Sequence, residues 1–152
     1  MASVLGDEID VLAKAKRALD ADYTPSEDEQ YMSEQQLNYF RVLLLEWKKS
    51  ILTASEFTLQ SLQDGPIREP DLNDRASSET DWGIELRTRD RQRKLIAKID
   101  AALARIDDGT YGYCEETGEP ISLKRLEARP IATLSIEAQE RHERNERVYR
   151  DD

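Results

Sequence analysis

Apolar residues recur at intervals of three and four through much of this chain, the spacing of helices that each bury one face. Val4, Leu5, Ile9, Leu12, Ala15 and Leu19 keep that spacing and predict an amphipathic helix over residues 3–20. Residues 22–30 are polar and hold Pro25, which reads as a linker. Ser33-Glu-Gln-Gln36 then makes a capping box, the serine oxygen satisfying early backbone N–H groups. Beyond it Leu37, Phe40, Leu44, Trp47, Ile51, Ala54 and Thr58 form the seam of a long helix, stopped by Asp64-Gly65-Pro66. A second helical pattern runs from Thr80 to Asp107, with Leu86, Leu95, Ile96, Ile99, Leu103 and Ile106 apolar and Gly109 at its end. Two such helices joined by a loop of roughly fifteen residues predict an antiparallel hairpin, each arm reaching about 40–45 Å.

Residues 110–134 carry turn signals at Gly112, Gly118, Pro120 and Pro130 and are too short and interrupted for a core of their own. A last helix is expected from Ser135, a serine cap, to the end. The expected fold is mainly α: a long antiparallel coiled-coil hairpin plus a small globular part with a degenerate zinc-finger-like knuckle and a C-terminal helix. Residues 1–32 are expected to be an N-terminal helix and linker packing on the globular part, and 33–108 the hairpin, with its acidic tip at 64–81. Residues 109–134 are the knuckle and 135–152 the C-terminal helix. The knuckle, YGYCEETGEPI at 111–121, has the frame of a metal site without its ligands. A zinc ribbon wants C-x-x-C twice, some twenty residues apart, and this chain has Cys114, Thr117, Ser135 and Ala138 there.

Charge narrows the partners. A net charge of −10 repels phosphate backbones, so direct DNA binding is not expected, and a basic protein surface or a groove on a larger machine fits better. Along the hairpin the charge is uneven. Asp64, Glu69, Asp71, Asp74, Glu79 and Asp81 crowd the tip against Arg68 and Arg75, while Arg87, Arg89, Arg91, Arg93, Lys94 and Lys98 face Asp90 alone on the shaft. A solvated coiled-coil surface accounts for the same charges. One cysteine makes no disulfide within the chain, and no apolar run is long enough to span a membrane. The N-terminus lacks a positive leader, so a cytoplasmic protein is expected. With one cysteine, one histidine and no glycine-rich phosphate loop, no enzyme is expected.

Three blocks sharpen this: PDLNDRASSETD at 70–81, ELRTRDRQRKLIAKIDAALARIDDGTYGYCEETGEPI at 85–121, and KRLEARPIATLS at 124–135. In order and spacing they resemble the TraR/DksA family of bacterial transcription factors. The resemblance implies a hairpin inserted into the secondary channel of RNA polymerase without DNA contact. It also implies destabilised open complexes at ribosomal RNA promoters, activation of some biosynthetic promoters, and guanosine tetraphosphate (ppGpp) as co-effector. The tip residues carried over are Asp71, Asp74 and Ala76, and Arg91 is carried over as a polymerase-binding residue. Leu95, Lys98 and Arg129 match the alarmone pocket shared with polymerase, and Gln139 stands where a further lysine is expected. The family's four zinc positions fall on Cys114, Thr117, Ser135 and Ala138, which leads to an expectation of no zinc, with Tyr111, Tyr113, Ile121, Leu126, Ile131, Leu134 and Ile136 packing in the metal's place. Cys114 then reads as a buried apolar filler rather than a redox switch, and His142 as an exposed helix residue. A monomer is expected.

Two other readings use the same residues. A transcript-cleavage factor also enters the polymerase channel and would use Asp71 and Asp74 to help hold Mg²⁺. A passive coiled-coil adaptor would display the hairpin and regulate nothing. Taken alone, the two aspartates also serve as turn and helix-cap residues.

Overall fold

The computed structural model describes the backbone of residues 23–64 and 72–151, with side chains at 23–56, 60, 63 and 79–148. The expected N-terminal helix and Asp71 lie outside the described residues. Among the described residues four helices follow one another: α1, Glu34–Asp64; α2, Leu72–Asp108; α3, Leu123–Ala128; and α4, Ile136–Asp151. Tyr113 and Pro120 make one isolated antiparallel bridge.

The capping box forms with an altered return bond. Ser33 Oγ accepts from the Gln36 N–H at 3.3 Å, but the Gln36 side-chain oxygen reaches back to the Met32 N–H, at 2.8 Å, rather than to the cap residue itself. Helix α2 begins at Leu72, well before the expected Thr80. The early turns, LNDRASSE, hold almost no apolar residues, so periodicity had nothing to register there.

The chain divides into two compact units. In the first, residues 45–100, Lys48 pairs with Asp100 at 2.7 Å and Ser55 with Gln92 at 3.1 Å. As one number rises by seven the other falls by eight, so the helices run antiparallel as a hairpin. Trp47, Ile51 and Ile99 fill this unit's seam. The expected Leu86 is 39% exposed, and Leu95 and Ile96 are only half-buried. A two-helix seam has too few neighbours to cover every apolar side chain on a face.

The second unit, residues 23–44 with 101–151, contains more of the core. Phe40, Leu43, Leu44, Ala102 and Ile106 from α1 and α2 are buried in it, as are Tyr111, Ile121, Leu126, Ile131 and Ala138. Arg41 pairs with Asp107 across the two helices at 2.8 Å. Tyr113 and Ile136, expected in this core, are 39% and 49% exposed. The stretch that reads as a linker is tied down: Tyr23 donates to the Glu29 carboxylate at 3.0 Å, and the Ser26 N–H donates to it at 3.1 Å.

Candidate functional site

The knuckle is built around its glycines. Gly112, at φ +91°, lets the chain reverse so that the Ile121 N–H donates to its carbonyl at 2.7 Å. Cys114 N–H donates to Glu119 O at 2.8 Å, and Gly118, at φ +72°, closes the inner turn with a bond from its N–H to Cys114 O at 2.9 Å. Tyr31 clamps this reversal from outside. Its hydroxyl lies 2.6 Å from Gly112 O and also contacts Ile121 O, and its ring meets Tyr113 edge-on, centroids 5.7 Å apart. Gln36, fully buried, completes the support. Beyond its bond to Met32, its amide donates to Ser26 O at 3.1 Å and to the Glu29 carboxylate at 3.2 Å, so every polar atom of the side chain is satisfied.

Cys114 is buried. Burial pushes its thiol up, but the Thr117 hydroxyl and the backbone N–H groups of Ser135, Thr117 and Glu116 outweigh that and bring it down to about 6. It is buried with the core side chains, as an apolar filler would be, and polar donors also face its sulfur. Ser135 Oγ accepts from the Ala138 N–H at 3.3 Å and so caps α4 as expected. His142 is the exposed helix residue expected, and it pairs with Glu116, which Arg141 also approaches at 3.9 Å.

Between α3 and α4 the chain makes a tight turn over Arg129–Ala132. The Ser122 hydroxyl caps α3 at 3.2 Å, and the helix ends with the Arg129 N–H on Arg125 O at 2.7 Å. The Ala132 N–H then closes a β-turn on Arg129 O at 3.0 Å, with Pro130 at the position that favours proline. Pro130, Ile131 and Ala132 are buried while Arg129 is exposed, and its guanidinium has no partner among the described residues. Gln139 donates its amide to Glu143 at 3.3 Å.

In the first unit, Lys98 is exposed and likewise without a partner among the described residues. Leu95 is half-buried, and Arg91 is exposed with one 3.4 Å contact to the Thr88 hydroxyl. Asp74 and Ala76 lie in the first turns of α2. The knuckle support from Tyr31 and Gln36 was not legible as such, because a polar linker gives no sign of which distant carbonyl its tyrosine meets.

Two family models match the chain. Residues 36–106 match the family model for the DnaK suppressor protein DksA, N-terminal domain, and residues 109–144 that for the prokaryotic dksA/traR C4-type zinc finger. A Caulobacter vibrioides protein, "RNA polymerase-binding transcription factor DksA", is 66% identical over 132 residues, 87% of this chain and 93% of that one. The chain belongs to the DksA family. An Escherichia coli K12 DksA of the same description is 43% identical over 115 residues, 76% of each chain. The structure of transcription factor DksA2 from Pseudomonas aeruginosa superposes with a TM-score of 0.70 at 43% identity, covering 92% of this chain and 98% of that one. The mainly helical fold, a hairpin with a small C-terminal part, is therefore that of the family.

The expectation of no zinc is corrected by the second of these matches. Residues 109–144 belong to a family described as a C4-type zinc finger, which points to zinc binding. Counting cysteines misjudged the segment because family membership is written in the turn frame of glycines and prolines as well as in the ligands. A tetrahedral zinc needs about four N, S or O donors. At the corresponding positions Cys114 supplies a thiol, Thr117 and Ser135 hydroxyls, and Ala138 none, so these residues alone fit the metal poorly. Among the described residues no group of three or more His, Cys, Asp or Glu side chains is gathered around a common point. No helix among the described residues is long and apolar enough to cross a membrane.

Proposed function

We propose that this chain regulates transcription by binding RNA polymerase in its secondary channel, as a cytoplasmic monomer that does not contact DNA and catalyses no reaction. Family membership carries the reading: its relatives are described as RNA polymerase-binding transcription factors. In this reading the chain destabilises open complexes at ribosomal RNA promoters and activates some biosynthetic promoters together with guanosine tetraphosphate. The division of labour follows the charge. Arg91 and its basic neighbours dock the shaft, and Asp71, Asp74 and Ala76 act at the tip.

Leu95, Lys98 and Arg129 contact the alarmone, with polymerase supplying the rest of its pocket. The supporting observation is that Lys98 and Arg129 are exposed cations with no partner among the described residues, so no existing ion pair must break before a phosphate binds. The test is open-complex decay at a ribosomal promoter with and without guanosine tetraphosphate. The wild-type protein shortens the lifetime, further with the alarmone, and Lys98→Ala or Arg129→Ala weakens only the alarmone-dependent part. A wild-type protein with no alarmone response refutes the co-effector role, and one with no effect on polymerase refutes the whole reading. Cleavage of backtracked RNA would instead identify a transcript-cleavage factor.

A further inference from the structure

The geometry points to Tyr111 and Arg125 as positioning residues that hold Arg129 ready for an anionic ligand; this rests on the proposed contact between Arg129 and the alarmone. Arg129 heads a turn whose other residues, Pro130, Ile131 and Ala132, are buried, so the turn's backbone decides where its guanidinium points. Two side chains fix that backbone from beneath. The Tyr111 hydroxyl donates to Pro130 O at 2.8 Å, inside the core, and the tyrosine ring packs at 5.5 Å on Phe40. Arg125 Nε donates to Leu134 O at 2.8 Å, closing the far end of the segment.

Both bonds go to backbone carbonyls, Pro130 O and Leu134 O, and neither is made to the Arg129 side chain, although the Arg125 carbonyl accepts from the Arg129 N–H at 2.7 Å. Burial raises the Tyr111 hydroxyl far above its ordinary value, so it remains a donor at any physiological pH. Without it the buried Pro130 carbonyl has no partner and gains by turning toward water, which carries the adjoining residue with it. An arginine that spends part of its time misaimed binds more weakly in proportion to the fraction of time lost.

The test is a double-mutant cycle on the full chain with RNA polymerase, reading the guanosine tetraphosphate concentration for half-maximal shortening of open-complex lifetime. Tyr111→Phe removes only the hydroxyl and raises that concentration about three- to tenfold, the scale of one hydrogen bond. Affinity for polymerase without the alarmone stays unchanged. In an Arg129→Ala background Tyr111→Phe has no further effect, because the group it positions is gone. A purely structural role gives additive losses instead, and additivity overturns the inference. So does an unchanged Tyr111→Phe response when Arg129→Ala alone is defective. If Arg129→Ala itself responds normally, the alarmone reading of Arg129 fails, and the positioning role fails with it. Should Tyr111→Phe not fold, Arg125→Lys, which keeps the charge and loses the Nε bond, carries the same cycle with the same outcomes.

Discussion

Gly112→Ala tests how the knuckle is held, with Gly118→Ala as its internal control. Both glycines have positive φ, +91° and +72°, so alanine at either site carries the left-handed strain of about 1–2 kcal/mol. Their surroundings differ. A Cβ at Gly112 falls 2.9 Å from both the Tyr31 hydroxyl and Met32 Cε, whereas one at Gly118 meets nothing within 4 Å. The new methyl must displace the hydroxyl that clamps Gly112 O and Ile121 O, adding roughly 1–2 kcal/mol for lost hydrogen bonding. Gly112→Ala should therefore cost about 2–4 kcal/mol and Gly118→Ala about 1–2 kcal/mol. In a chain of this size that separates the melting temperatures by roughly 2–8 °C, readable by circular dichroism at 222 nm. In a Tyr31→Phe background the gap should narrow, since the clash with the hydroxyl is removed. Equal losses at the two glycines in the wild-type background would refute the clamp.

The remaining predictions address other parts of the chain. Gln36→Ala removes a fully satisfied buried amide and should cost about 2–4 kcal/mol in urea unfolding; Gln36→Met, which keeps the volume, should recover little if hydrogen bonds rather than packing matter. Burial, then the neighbouring Tyr113, pushes the Tyr31 hydroxyl up to about 12. The unfolded tyrosine ionises first, so its contribution is intact below about pH 10 and is lost as pH rises through about 12. The melting temperature should fall across that window, less steeply in Tyr31→Phe. Asp74→Asn should abolish the effect on open-complex lifetime while polymerase affinity drops less than about tenfold, and Arg91→Ala should do the reverse, as competition binding with decay kinetics will show.

Local chemistry by itself determined where α1 and α4 begin and most of the run of α2. The three-and-four spacing from Leu37 to Ile51 needs no partner to be read, and Ser33 and Ser135 cap their helices with atoms only three residues away. The short α3 shows no period, because six residues are too few for one, although Ser122 is a usable cap signal. The early start of α2 escaped for want of apolar residues. The family's order of motifs was also legible, since it is a property of sequence alone, but the metal requirement was misjudged by counting ligands.

What tertiary structure alone decided is which side of each element becomes interior and which distant carbonyl each donor finds. Tyr31 meets Gly112 and Ile121 across 81 and 90 residues of chain, and nothing within a helical turn of Tyr31 signals either. Ile136 and Leu86 are apolar by composition yet exposed, because whether a residue is covered depends on a neighbour arriving from elsewhere in the chain. Cys114 is a lone cysteine in sequence. Glu116 and Thr117 donors face its sulfur from the same turn, but the Ser135 N–H that helps draw the thiol toward the ionised form reaches it only on folding. Periodicity and caps act over a few residues, whereas burial and hydrogen-bond partners are set by contacts that exist only once the chain has closed on itself.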